Sequence, residues 1–186
     1  MTYRLGVVPL LFNAGVATID GFEAEVQWVP TDAFRLDGSV GYLDTKFDSI
    51  TPPPPFGPVS PTATATLSSR LPFTPEWQVH LGMSYAFKVA SNWSLTPRVD
   101  LSLTDKQFFD AGNSPEIAQD EAITLVNASV MLASDDDKWR VVLGANNLTD
   151  EVYPVAGTSS MTTASGYAEI IYARPRSLML NVTRNF

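Results

Sequence analysis

One feature restricts this chain more than any other: apolar and polar side chains alternate with a period of two over segment after segment. From Gly21, the residues Phe22, Ala24, Val26 and Trp28 share a face opposite Glu23, Glu25 and Gln27. Phe34, Leu36, Val40 and Tyr42 oppose Arg35, Asp37, Ser39 and Gly41. Trp77, Val79, Leu81, Met83, Tyr85 and Phe87 oppose Gln78, His80, Gly82, Ser84 and Ala86. Trp93 to Thr104, Val126 to Leu132 and Trp139 to Ala145 repeat the theme. Only an extended strand sends successive side chains to opposite faces. Helical spacing is hard to find, so the predicted class is all-β, with antiparallel up-and-down strands. The strands are expected to run about 10 to 14 residues, longer than the roughly 5 to 6 usual in globular strands.

The connections alternate as well. Short links fall at Pro30-Thr31-Asp32, Ala90-Ser91-Asn92 and Ser134 to Lys138. Long ones run from Asp48 to Glu76, Phe108 to Glu121 and Leu148 to Arg174. A membrane barrel distributes its periplasmic turns and extracellular loops in this way. Trp28, Phe34, Phe87, Trp93 and Trp139 gather beside the short turns, as an interfacial aromatic girdle requires. Counting back from Phe186 gives seven strands, and Met1 to Pro9 is expected as an eighth. A soluble antiparallel sandwich would also alternate. It would not carry charges such as Glu23, Glu25, Arg98 and Asp100 on an enclosed face, nor gather its long loops at one end.

Composition fits. At 186 residues, 17% charged against about 25% in soluble domains, the chain has a mean hydropathy near zero. It has no run of 18 apolar residues, the length read as a membrane helix, and a barrel needs none. The charge is −8, from 12 basic and 20 acidic residues, so no nucleic-acid partner is expected. The absence of cysteine excludes thiolate chemistry and disulfides. Met1 to Phe12 makes a poor signal peptide, because Pro9 interrupts a short apolar run.

The end of the chain is the most specific part. Leu178, Leu180, Val182 and Phe186 share one face of the last strand, and a terminal aromatic of this kind marks an outer-membrane β-barrel. Asn146-Asn147-Leu148-Thr149-Asp150 with Tyr153, then Arg174-Pro175-Arg176, resembles the end of a TonB-dependent receptor. That family consists of gated barrels importing iron chelates and other scarce nutrients. Gly21-Phe22-Glu23-Ala24-Glu25 is similar to a strand of the second half of that barrel, and Leu71-Pro72-Phe73-Thr74-Pro75-Glu76-Trp77 to a loop exit. Gly21, Glu23, Glu25, Pro72, Pro75, Asn146 to Asp150, Tyr153, Pro175, Arg176 and Phe186 are thus expected as structural family positions.

The resemblance implies that residues 1–186 are the last seven or eight strands of a barrel of about 22, in the Gram-negative outer membrane. Nothing in the sequence is similar to the plug domain or TonB box of such receptors, so energised transport by this chain alone is not expected. The implied partners are the bilayer and lipopolysaccharide, the barrel assembly machinery through the C-terminal strand, an external small-molecule ligand, and TonB only through the missing N-terminal part. The assembly signal favours a second aromatic two residues before the last, where this chain has Arg184. The other readings are an autonomous eight-stranded barrel serving structure or adhesion, and an outer-membrane hydrolase.

The remaining motifs read as structure. Asn92-Trp93-Ser94, Asn147-Leu148-Thr149 and Asn181-Val182-Thr183 match a glycosylation sequon by coincidence. Asp135-Asp136-Asp137-Lys138 lacks the spacing of a calcium loop and reads as a solvated turn. His80, the single histidine, shares the polar face with Gln78 and Ser84. Without a Gly-x-Ser-x-Gly elbow it is expected to be a polar lumenal residue, not a catalyst. No enzyme activity, cofactor or metal is expected. The Pro52-Pro53-Pro54-Pro55 run is read as a stiff loop spacer. Tyr153, Tyr167 and Tyr172 could line a barrel mouth or form an upper girdle.

Overall fold

The structure is a computed structural model describing residues 2–5, 8–11, 15–50, 65–161 and 165–186. The proline run lies outside the described residues. The strands are β1 (Thr2–Leu5), β2 (Val8–Leu11), β3 (Gly15–Trp28), β4 (Phe34–Ile50), β5 (Trp77–Tyr85), β6 (Phe87–Ala90) and β7 (Trp93–Thr104). They continue as β8 (Ile123–Ser134), β9 (Trp139–Asn146), β10 (Pro154–Ser159), β11 (Ala168–Tyr172) and β12 (Ser177–Arg184). A 3-10 turn spans Pro115–Ile117.

One antiparallel sheet carries the order β12-β9-β8-β7-β5-β4-β3, with β6 pairing β7 as the continuation of β5. It has seven staves joined alternately by the three short turns and the three long loops, as the alternation predicts. The sheet is open: β3 and β12 are its two ends. The expected eighth strand is corrected. The described parts of residues 1–9 belong to β1 and β2, which pair with each other rather than with the large sheet. The last long loop is also more ordered than a polar loop, because β10 and β11 form a hairpin within it.

The gap between β5 and β6 has a cause in the sequence. The register runs from Ser84↔Arg98 to Phe87↔Leu95, which sets Tyr85 and Ala86 against Pro97 and Thr96. Proline has no N–H to give the ladder, and a proline inside a sheet is normally confined to edges or bulges. The Ala86 N–H turns the other way and donates to Ala33 O at 2.8 Å.

The two faces follow from cross-strand register. Phe22, Tyr42 and Trp77 are successive neighbours across β3, β4 and β5, with ring centroids 5.7 Å, 6.0 Å and 4.7 Å apart. Trp28 and Phe34 stack edge to face at 5.8 Å, and Tyr85 meets Phe87 at 4.6 Å. Between these two aromatic levels lie Val26, Leu36, Val40, Val79, Leu81 and Met83 on the same face. Eight residues separate Trp77 from Tyr85, about 27 Å along a strand at roughly 3.4 Å per residue. Tilted by about 40°, that becomes a band near 21 Å, close to the roughly 25 Å apolar belt of outer-membrane barrels. The upper row was not foreseen among the girdle residues, although each of its rings belongs to a stripe that was.

Among the described residues, nothing covers this apolar face. Leu143 is 57% exposed, Leu180 67% and Leu178 75%. The buried apolar residues among the described ones are Ala65, Phe109 and Ile117, all in the loops. A sandwich would hide such a face under a second layer; here a single sheet presents it outward. An uncovered apolar face of this extent marks a surface that meets something other than water.

Candidate functional site: the polar face and the loop cap

Opposite the apolar belt, register brings charges together that sequence leaves far apart. Asp37 on β4 and Asp100 on β7 both lie beside Gly82 on β5. Arg98, two residues from Asp100 on the same face, reaches across that glycine. Its Nη1 and Nη2 donate to Asp37 Oδ1 and Oδ2 at 2.8 and 2.9 Å, a bidentate fork. Its Nε donates to Asp100 Oδ1 and Oδ2, both at 3.0 Å, and Nη2 also reaches Oδ1 at 2.6 Å. Gly82 leaves room for this crossing: a Cβ there would push on Arg98 Nη2, on Asp37 Oδ2 at 2.6 Å and on Asp100 Oδ1 at 2.8 Å. The guanidinium thus staples three adjacent staves.

His80 completes the group. Its Nε2 lies 3.6 Å from Asp37 Oδ2 and 3.7 Å from Asp100 Oδ1, and its Nδ1 lies 3.3 Å from Ser102 Oγ. Serine, histidine and aspartate therefore meet, with Ser102 rather than the sequence neighbour Ser84. The chemistry of a triad does not follow. The aspartate oxygens nearest His80 already accept from Arg98, and both exceed hydrogen-bond reach of the imidazole. Ser102 sits inside a strand paired on both sides, so no pair of free backbone N–H groups is aimed at a developing oxyanion. The two aspartates and His80 also offer three ligand atoms close enough for a cation, but Arg98 supplies the positive charge in that space. Glu23, Glu25 and Gln78 continue this polar face beside Ser39 and Thr104, lining a shallow groove with His80 and Ser102.

Above the sheet the long loops lock together. Arg70 N–H donates to Asn113 Oδ1 at 2.6 Å, and Asn113 Nδ2 returns a bond to Arg70 O at 2.9 Å. Phe73 N–H donates to Phe108 O at 2.9 Å, and Phe73 packs on Phe109 at 5.4 Å. Arg70 also pairs with Glu76. Ile117, 0% exposed, lies against Gly157 of β10, where a Cβ would come within 2.6 Å of the Ile117 Cβ. Ser159 Oγ donates to Glu116. Gln119, 3% exposed, donates to the carbonyls of Asp105 and Glu121 at 3.1 and 3.2 Å. Sequence reading missed this cap: Ile117 and Gly157 belong to no periodic stripe, and only a Pro-Glu-Ile turn marks the site.

The terminal motif gathers at the base of the last loop. Asn147 and Asp150 take positive φ of 51° and 60°, which asparagine and aspartate tolerate better than most residues. Asn147 Nδ2 donates to Glu151 O at 2.9 Å, its Oδ1 accepts from Glu151 N–H at 2.9 Å, and its own N–H donates to Asn127 Oδ1 at 2.9 Å. Arg176 N–H donates to Asp150 Oδ1 at 2.8 Å. Tyr153 O accepts from Ala173 N–H at 3.0 Å, and Leu148 N–H donates to Val126 O at 2.7 Å. Pro72 and Pro75 flank a turn in which Thr74 Oγ1 donates to Leu71 O at 2.7 Å. Gly21 lies opposite Leu43 in the β3–β4 register, and Thr149 and Pro175 are exposed. Tyr167 and Tyr172 are exposed on the β10–β11 side.

At the other end, the Asp135–Lys138 turn is a solvated ion-pair corner. Asp135 pairs with Lys88 at 2.7 Å and Asp136 with Lys138 at 3.1 Å. The Ser134 hydroxyl, first, and Lys138 hold the Asp136 carboxyl below its ordinary range.

A single open sheet with an uncovered apolar belt between two aromatic rows, a charged opposite face and a cap of long loops at one end defines a segment of an outer-membrane-type barrel wall. The comparisons narrow it. Residues 2–148 match the family described as TonB dependent receptor-like, beta-barrel, and the chain belongs to that family. Its fold is similar to the ferric yersiniabactin uptake receptor FyuA from Yersinia pestis, at 19% identity and a TM-score of 0.76, over 94% of this chain and 24% of that one. It is similar to the siderophore receptor PiuA from Acinetobacter baumannii, at 22% identity and a TM-score of 0.69, over 91% of this chain and 22% of that one. It also resembles BauA, the ferric preacinetobactin receptor from Acinetobacter baumannii, at 22% identity and a TM-score of 0.67, over 96% and 23%. The chain spans about a quarter of the length of these receptors.

Proposed function

We propose that these residues form part of the wall and outer mouth of an outer-membrane receptor that imports a small iron chelate of the siderophore class. The observation that carries the reading is the uncovered belt between two aromatic levels, with the interlocked loops all on one side of it. In this reading the belt faces lipid, the Asp37–Arg98–Asp100 face lines the lumen, and the cap and Tyr167 and Tyr172 face the outside and lipopolysaccharide. The wall is passive. Energy enters through TonB and a lumenal domain contributed by sequence other than these residues, and the last strand is what the assembly machinery recognises.

Gly21, Glu23, Glu25, Pro72, Pro75, Asn146, Asn147, Leu148, Thr149, Asp150, Tyr153, Pro175, Arg176 and Phe186 serve architecture in this reading. The bonds of Asn147, Asp150 and Arg176 support it, since they tie the end of β9 to the start of β12 and hold the loop base closed.

The test joins size to transport. Outer-membrane fractions are probed with an antibody to the last strand, and uptake of radiolabelled ferric siderophores is measured with and without the gene. A band several times larger than 20.3 kDa together with loss of uptake of one chelate is expected. A membrane band of 20.3 kDa with uptake of every chelate unchanged would sink the receptor reading.

A further inference from the structure

At its turn end the apolar face carries a charge, Arg184, that has no ion-pair partner among the described residues. Arg184 lies opposite Trp139 in the β12–β9 register, on the side that carries Val182 and Leu180. Its guanidinium carbon sits 5.0 Å from the Trp139 ring centre and 4.8 Å from that of Phe186. The position is fixed from beyond, because Asn185 N–H donates to Lys138 O at 2.8 Å and Asn185 Nδ2 to Asp137 O at 2.7 Å.

The two turn lysines are matched: Lys88 has Asp135 and Lys138 has Asp136. Among the described residues, no carboxylate lies within ion-pair distance of Arg184 and none accepts a hydrogen bond from it. Contact with the rings engages the faces of a planar guanidinium and leaves its N–H edges to donate. A forked pair of N–H groups fits a carboxylate or a phosphate. At the level of the lower aromatic row, on the lipid side, the anion that a bilayer provides is the phosphodiester of a phospholipid headgroup.

We propose that Arg184, held between Trp139 and Phe186, is a binding site for the phosphate of one phospholipid in the leaflet at the short-turn end of the wall. The inference rests on the membrane reading above and deepens it by naming a partner for one point of the belt. The arrangement also gives the departure from a second terminal aromatic a physical sense. Two rings lie against the guanidinium, so the cation remains compatible with an apolar surface while its edge reaches the headgroup layer.

The experiment uses protein isolated from outer membranes, carrying 13C at the arginine Cζ and reconstituted in bilayers of phosphatidylethanolamine and phosphatidylglycerol. Contact is read as 13C–31P dipolar dephasing. The expected result is a dephased arginine component in the wild type that disappears in Arg184→Leu and weakens in Trp139→Leu. Identical dephasing in the wild type and Arg184→Leu, or none in either, overturns the headgroup site while the protein still floats with the vesicles on a density gradient. Failure to float overturns the membrane reading, and this proposal with it. A wild-type signal that survives in Trp139→Leu at full strength would show that the rings do not position the guanidinium, and the site as proposed falls.

Discussion

The wall and the cap use burial in opposite ways. In the wall, large apolar side chains such as Phe22, Leu143 and Leu180 are left half or more uncovered, and the charged residues meet on the opposite face. In the cap, Ile117 and Phe109 are buried as in any soluble protein, and the polar groups around them are matched by neighbours from other loops. The wall leaves its apolar side chains for contacts outside the sheet, and the cap draws its contacts from itself. The two therefore answer to different perturbations: the wall depends on what surrounds it, and the cap on the fit between three loops.

Four changes would break or sharpen that contrast. Ile117→Ala is expected to have the largest effect, costing the cap about 2–5 kcal/mol. Hydrogen exchange should then rise in residues 105–122 and 154–172 while β4, β5 and β7 stay protected. Exchange rising equally in the strands would mean that cap and wall unfold together. Leu81→Arg, midway between Trp77 and Tyr85, should cost about 2–4 kcal/mol in bilayers, measured by urea unfolding from lipid vesicles. A neutral result would show that Leu81 does not face hydrocarbon.

Gly82→Ala comes next. The added methyl group pushes on the Arg98 fork and should cost about 1–3 kcal/mol in the same unfolding assay. Combining it with Arg98→Met should remove most of the penalty, which distinguishes a clash with the guanidinium from a backbone effect. The smallest effect is expected at the Asp136 turn. Its carboxyl is depressed below the ordinary 3.8, so its contribution is present above that pH and is lost as pH falls through the lower folded value. Asp136→Asn should slightly speed exchange at the Ser134–Trp139 turn at neutral pH and remove the further loss of protection that the wild type shows as pH falls below about 4.

Seven staves and the split into short turns and long loops were legible in the sequence because alternation is a local property: a residue and its second neighbour suffice to reveal it. The polar cluster was only half legible. Asp37, Arg98 and Asp100 could be placed on the inner face, but their meeting at Gly82 depends on how far β4 and β7 slide against β5, and no single stripe contains that. The same cause made Ser84 the serine named beside His80, when register delivers Ser102. The cap was nearly illegible, since Asn113, Ile117 and Gly157 have no period and gain meaning only when their loops touch. Met1 to Pro9 was read by counting residues toward another stave; the described pieces prefer a hairpin of their own.

Pro97 has a mechanical consequence. Neighbouring staves in a wall of this kind resist being pulled apart through their ladder bonds, which act like stitches in a seam. The seam between β5–β6 and β7 lacks a stitch beside Tyr85, close to the lip formed by the short turns, and Ala86 is fastened instead to Ala33 on the far side. Stretched around its circumference, the wall should open from the lip at that seam, with Phe87 to Ala90 turning as a small tab, while the part fastened by Arg98 holds.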